Sequence, residues 1–167
     1  EFDLTKGVTV EFWLNKSQFI TSKTAKEVIF DLWNGEASSS AGYGRLTVLA
    51  TGAADGVEPL RVSFMSGTNG TQYASAVTSQ TTASFADASW HHYALSLKND
   101  SGTTYVRTYL DGHKKSTASY SLDIQAVTGS LQARIGSLIA SPSGSSAAAN
   151  AGTLSGSVDE FRFWKTR

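Results

Sequence analysis

The chain has 167 residues, 40% hydrophobic and 11% aromatic, enough for one domain with a real core. Its 14 Lys and Arg balance 14 Asp and Glu without a long run of either sign, so the basic footprint of a nucleic-acid partner is missing. With 0 Cys there is no disulfide framework or thiolate metal site, which favours a bacterial or viral source, and no segment reaches the apolar length of a membrane span.

Val8 to Leu14 alternates Val8, Val10, Phe12 and Leu14 against Thr9, Glu11 and Trp13, the pattern of a strand with one face in a core. Val28 to Trp33 reads as a second strand, ended by the tight-turn pair Asn34-Gly35. Arg45 to Ala50 and Leu60 to Met65 follow as strands, separated by the polar loop Thr51 to Gly56. Ser66 to Gly70 signals a turn, with a short strand expected around Tyr73 to Val77.

Trp90 to Lys98 places Trp90, His92, Ala94 and Ser96 on one face and His91, Tyr93, Leu95 and Leu97 on the other. Apolar residues on both faces predict a central strand covered on each side. Asn99 to Gly102 and Asp111-Gly112 turn the chain into Thr103 to Leu110 and then Lys114 to Ser119, a meander held by tight turns. One helical turn is expected near Ile124 to Val127, a strand at Leu131 to Leu138, and a surface loop over the Ser-, Ala- and Gly-rich Ser141 to Thr153.

In the closing segment, Gly156 to Trp164, Phe161 and Phe163 share one face with Arg162 opposite. Val158 falls out of that phase, which predicts a bulge at Asp159-Glu160. Many short strands punctuated by turns make an all-β, antiparallel two-sheet sandwich or jelly roll the expected architecture. The chain starts at Glu1-Phe2-Asp3-Leu4 without an initiator Met and stops just after a patterned strand. Residues 1–167 are therefore expected to form a single module of a longer protein.

The series Val8-Thr9-Val10-Glu11-Phe12-Trp13-Leu14, Trp90-His91-His92-Tyr93-Ala94, Tyr109-Leu110-Asp111-Gly112, Arg134-Ile135-Gly136 and Gly156 to Trp164 resembles a laminin-G-like domain of the concanavalin A-like lectin/glucanase superfamily. Order and spacing match across nearly the whole chain. The resemblance implies two antiparallel sheets, one of them curved, with binding loops at one rim and a first strand commonly preceding the first segment. It also implies a breadth of functions: binding of glycans or proteins, often with rim calcium, hydrolysis of polysaccharides, or spacer and adhesion duty in bacterial surface and phage virion proteins. Function sits in the grafted site, not in the fold.

A retaining glucanase needs two carboxyl groups about 5 Å apart, hence acids at even spacing on one strand. The nearest approach is Glu1-Phe2-Asp3, followed on that face by Thr5, while Asp159 and Glu160 are adjacent and diverge. No catalytic residue is assigned, and the module is expected not to be an enzyme. His91 and His92 diverge likewise, so no metal site is assigned. No cofactor is expected; calcium, the ion the resemblance implies, finds no dense acid cluster among Asp55, Glu58, Asp87, Asp100 and Asp123.

For ligand binding the candidates are loop-side aromatics and amides: Trp33, Asn34, Tyr43 and Tyr73. Trp13, Trp90 and Trp164 lie in strand patterns and are expected to pack, as are Val158, Phe161 and Phe163, with Asp159 a structural acid. The expected function is a non-enzymatic adhesion or recognition module of an extracellular or phage virion-surface protein. Its expected partners are a cell-surface glycan or protein and neighbouring domains of the same chain or virion, with no nucleic acid and no membrane insertion. The alternatives are a structural spacer or virion decoration domain, and a carbohydrate-binding accessory module of a polysaccharide-degrading enzyme.

Overall fold

The computed structural model describes residues 2–20, 26–52, 58–76, 78–139 and 151–165, without the side chains of Gln72, Tyr73 and Ala151. The elements in chain order are β1 (Val8–Asn15), β2 (Lys26–Trp33), β3 (Gly44–Thr51), β4 (Leu60–Ser66), β5 (Asn69–Ser75), α1 (Thr82–Phe85), β6 (Trp90–Asp100), β7 (Thr103–Leu110), β8 (His113–Tyr120), β9 (Gln132–Ile135), β10 (Ala151–Thr153) and β11 (Ser157–Trp164).

They form two sheets. The first has the order β11-β1-β6-β7-β8 and is antiparallel throughout. The second runs β2-β3-β4-β5, and the far edge of β2 takes two short partners end to end: β9 antiparallel against Phe30 to Trp33, and β10 parallel against Lys26 to Val28. The expected all-β sandwich is the observed architecture.

Alternation decides which residues meet between the sheets. Val8, Val10, Phe12 and Leu14 of β1 and Tyr93, Leu95 and Leu97 of β6 face Leu46, Val48 and Ala50 of β3 and Leu60, Val62 and Phe64 of β4, all buried. Phe161 of β11 spans the gap, its ring 4.8 Å from Phe30 of β2 and 6.4 Å from Phe12 of β1. The bulge expected at Asp159-Glu160 is present. The β1–β11 register shifts between Glu11 and Trp13, and Glu160 sits at φ 49°. The extra residue lets Val158 and Phe161 both reach the core.

The turns at Ser101-Gly102 and Asp111-Gly112 have positive φ at both residues (51° and 83°, 50° and 76°), the type I′ geometry that matches strand twist. Asn34-Gly35 is not such a hairpin. The β2–β3 connection runs from Asn34 to Tyr43, because Asn34 closes a wider loop with its side chain.

Other expectations are corrected. No helical turn forms at Ile124 to Val127; Val127 instead bridges Phe2, exchanging backbone hydrogen bonds of 3.2 and 2.8 Å. The helical turn lies at Thr82–Phe85, where Thr81 and Ser84 form a capping box and Phe85 is buried. β5 begins at Asn69, earlier than expected, and Val77 lies outside the described residues. β9 is shorter than expected, and β10 occupies the end of the expected surface loop, of which 141–150 lie outside the described residues. β6 is central within its sheet but covered on one face only, since Trp90 remains 46% exposed.

Among the described residues, two ion pairs are buried. Lys16 and Glu27, with side chains 0% and 1% exposed, meet at 2.5 Å. Lys16 Nζ also donates to the Ser155 carbonyl at 2.7 Å, while Glu27 accepts from the backbone N–H groups of Ile20 (2.9 Å) and Ser155 (2.7 Å). Asp31 and Arg45 form a two-pronged pair of 2.8 and 2.7 Å, with Thr47 and the N–H of Ile139 completing the carboxylate's partners.

Removing one partner of such a pair strands the other charge in a dry interior. Lys16→Met should therefore lower the unfolding free energy by about 3–5 kcal/mol. Lys16→Met/Glu27→Gln should recover part of it, because no charge is then left buried and the one amide oxygen still accepts from either the Ile20 or the Ser155 N–H. Urea denaturation measures both, and a single-variant loss below about 1 kcal/mol would contradict the assignment.

Candidate functional site

Three groupings of side chains can be weighed. The first is the turn after β2, where sequence reasoning placed three of its four candidates, Trp33, Asn34 and Tyr43. Asn34 is 8% exposed and engaged on every side. Its amide donates to the carbonyls of Gly42 (2.7 Å) and Thr128 (3.1 Å), and its side-chain oxygen accepts from the N–H groups of Gly44 (3.0 Å) and Glu36 (3.3 Å). Tyr43 is 6% exposed, so it cannot serve as the open aromatic platform expected of it. Burial pushes its hydroxyl up, and the neighbouring Arg45 pulls it back only in part.

Trp33 is half-buried. Its indole donates to the Glu36 carbonyl at 2.8 Å, and the Arg45 guanidinium lies 5.4 Å from its ring centre. Tyr73 lies in β5, and its side chain is outside the described residues. The structure thus brings Trp33, Asn34 and Tyr43 together, with hydrogen bonds that hold the loop itself. Gly44, which opens β3 beside them, lacks a side chain for a steric reason: a Cβ there would sit 2.0 Å from Val127.

The second grouping is at the Asp111-Gly112 end of the first sheet. His91 stands between two carboxylates, its Nδ1 2.8 Å from Asp111 and its Nε2 3.2 Å from Asp87. Asp111 also accepts from the N–H of His92 at 2.9 Å, and Asp87 from Ser89 at 2.8 Å. Partial burial works against the His91 charge, yet the bonds to Asp111 and Asp87 outweigh it and hold the imidazole above its ordinary value. Both nitrogens facing carboxylates is the geometry of an imidazolium. Among the described residues no group of three or more His, Asp or Glu side chains could hold a metal ion.

The third grouping is the outer face of the first sheet. Three of the chain's four tryptophans, expected to pack, are exposed there: Trp13 at 38%, Trp90 at 46% and Trp164 at 50%. Trp13 pairs with His92 across β1 and β6, their rings 5.4 Å apart, and Trp164 pairs with Thr9 across β11 and β1. Between the two indoles lies Glu11, opposite Arg162 in register. Glu11 Oε1 accepts from the Trp164 indole at 3.1 Å and from the Arg162 guanidinium at 3.3 Å, and Arg162 also binds Glu160.

Sequence reasoning missed this face as a site, although its signal was present. Trp13 shares the phase of Thr9 and Glu11, and Trp164 shares that of Arg162, so both sit on the polar side of an amphipathic strand. Reading tryptophan as core by residue type overrode the periodicity.

Three comparisons bear on this arrangement. A family model described as the concanavalin A-like lectin/glucanases superfamily, of laminin G type, matches residues 1–167. Among curated proteins no match was found. Among solved structures, domains LG4-5 of the mouse laminin alpha1 chain superpose with a TM-score of 0.60 at 14% identity, covering 96% of this chain and 36% of that one. A heptameric SAP-like pentraxin from Limulus polyphemus superposes with a TM-score of 0.50 at 12% identity, covering 99% of this chain and 66% of that one. The chain thus spans about a third of the laminin chain's length and just under two thirds of the pentraxin's. At such identities these likenesses speak to fold alone. Among the described residues no helix is long and apolar enough to cross a membrane.

The His91 bridge has a pH signature. Its folded-state value is raised above 6.5, so its contribution is full below that value and is lost as pH rises through the raised one. Asp87 and Asp111 are lowered, so their share fades as pH falls through the acid range. The melting temperature of the native chain minus that of His91→Asn should be largest at about pH 5–6 and shrink by about pH 8–9. A difference flat across that range would show that the bridge carries no charge.

Proposed function

The chain belongs to the laminin G-type family of the concanavalin A-like lectin/glucanases superfamily, and from that premise we propose that it is a non-enzymatic recognition module of an extracellular or virion-surface protein, contacting a glycan on a partner surface. The observation that carries this reading is the outer face of the first sheet, where Trp13, Trp90 and Trp164 remain in solvent although the core beneath is closed. Large aromatic surface left open on a folded sheet, interleaved with charged groups, marks a contact surface.

The carboxylates that could suggest hydrolysis are otherwise occupied. Asp3 accepts from the N–H and hydroxyl of Thr5 at 2.9 and 2.6 Å, and Glu160 binds Arg162. Glu1 lies outside the described residues. An open sheet face gives shallow contact and weak single-site affinity, which repetition of the module on one particle raises by making later contacts intramolecular.

The test is a glycan array probed with the chain displayed in several copies. Retention on a defined set of saccharides is expected, with Trp13→Ala/Trp164→Ala losing the signal and Trp33→Ala keeping it. Silence across a broad array, with the fold intact by circular dichroism, would overturn the reading in favour of a spacer or decoration role. Release of reducing ends from any glucan would overturn its non-enzymatic part.

A further inference from the structure

The outer face can be read more finely than as a contact surface. Trp164 lies opposite Thr9 and Trp13 lies four residues further along β1, which at the rise of a strand is about 13 Å. That backbone spacing, with Glu11 and the Trp164 N–H between its ends, is wider than one sugar ring and suits a chain of two or more. Glu11 stands between them with unequal oxygens. Oε1 already accepts from Trp164 and Arg162, whereas Oε2 lies 3.9 Å from His92 Nε2, beyond hydrogen-bond reach. Oε2 keeps its lone pairs for a hydroxyl placed between two aromatic faces.

Charge narrows the ligand. The strip carries the carboxylates of Glu11 and Glu160, and Asp159 pairs with Trp13 in register. The cation among them, Arg162, is held by both glutamates. A guanidinium so paired is not free to bind a sulfate or carboxylate, and an anionic chain would meet excess negative charge. A neutral, hydroxyl-rich chain meets acceptors for its hydroxyls and indole faces for the C–H faces of its rings. The site is also preorganised. The bulge at Glu160 turns its side chain back to Arg162, and Glu11 fixes the Trp164 ring through its N–H.

We propose that the strip formed by Glu11, Trp13, Arg162 and Trp164 binds a neutral oligosaccharide running across β1 and β11, with Glu11 Oε2 accepting from a hydroxyl between the two indoles. This rests on the recognition reading above. The experiment follows the indole N–H signals by nuclear magnetic resonance while cello-, malto- and manno-oligosaccharides of increasing length are titrated, with a heparin fragment as the anionic probe.

At least one neutral series should shift the Trp13 and Trp164 signals and leave Trp33 in place. Affinity should rise from disaccharide upward until the chain spans both rings, and heparin should produce no shift. Trp13→Ala and Trp164→Ala should each weaken binding about tenfold, the loss of one stacking contact. Glu11→Gln, whose one oxygen still holds Trp164 and Arg162 while its amide nitrogen takes the place of Oε2, should weaken it less than Glu11→Ala, which loses both.

Binding of heparin but not of neutral chains would overturn this inference and leave the recognition reading standing. Shifts confined to Trp33 would do the same by moving the ligand to the turn after β2. If no saccharide of either kind binds, while Trp13→Ala/Trp164→Ala changes the chain's self-association, the face belongs to a protein contact and both readings fail.

Discussion

The arrangement of this sandwich turns on one charge pair withdrawn from water. Lys16 follows directly on β1, Glu27 is the second residue of β2, and Ser155 lies two residues before β11. A bare ammonium or carboxylate in such a place would be costly by several kcal/mol, so each needs the other and the backbone groups around them. Satisfying that demand brings together the end of β1 in one sheet, the start of β2 in the other, and the entry to the closing strand. The Lys16 carbonyl meanwhile accepts from Ala88 at 2.9 Å, which holds the approach to β6 against the same corner. Phe19, with its ring 4.8 Å from the Lys16 ammonium, shields the pair.

That anchoring sets the register of β11, and the register sets what the outer face offers. With Ser157 opposite Asn15 and one residue taken up by the bulge, Arg162 falls opposite Glu11 and Trp164 opposite Thr9. A slip by one residue would send Phe161 and Phe163 into solvent and the indole and guanidinium into the core. The aromatic contacts of Phe161 and Phe163 with Phe30 therefore do two things: they close the sandwich, and they hold the opposite side chains in place on the surface. The side chains offered on the outer face are a by-product of how the last strand is packed.

The turn after β2 shows the opposite case. Asn34 spends its hydrogen-bonding capacity on the loop it closes, and Asp31 and Arg45 spend theirs on each other and on Thr47 and Ile139. Residue types suited to ligand contact are here consumed by structure. Composition cannot separate the two uses, because an amide that binds a sugar and one that caps a loop are chemically the same.

The sequence by itself determined most of the strands, the tight turns before and after β7 and the bulge at Asp159-Glu160, because period-2 alternation and turn chemistry are local properties of the chain, and its motifs carried the family resemblance. It also held the phase that puts Trp13 and Trp164 outside, although residue type argued for the core. Tertiary structure alone decided that β6 has one open face, that Val127 pairs with Phe2, and that Lys16 finds Glu27 and Ser155. It alone decided that Glu11 gathers Trp164 and Arg162 from 151 or more residues away. Such partners are set by which strands become neighbours, and that follows from closing two sheets over one core, a global demand that no local pattern encodes.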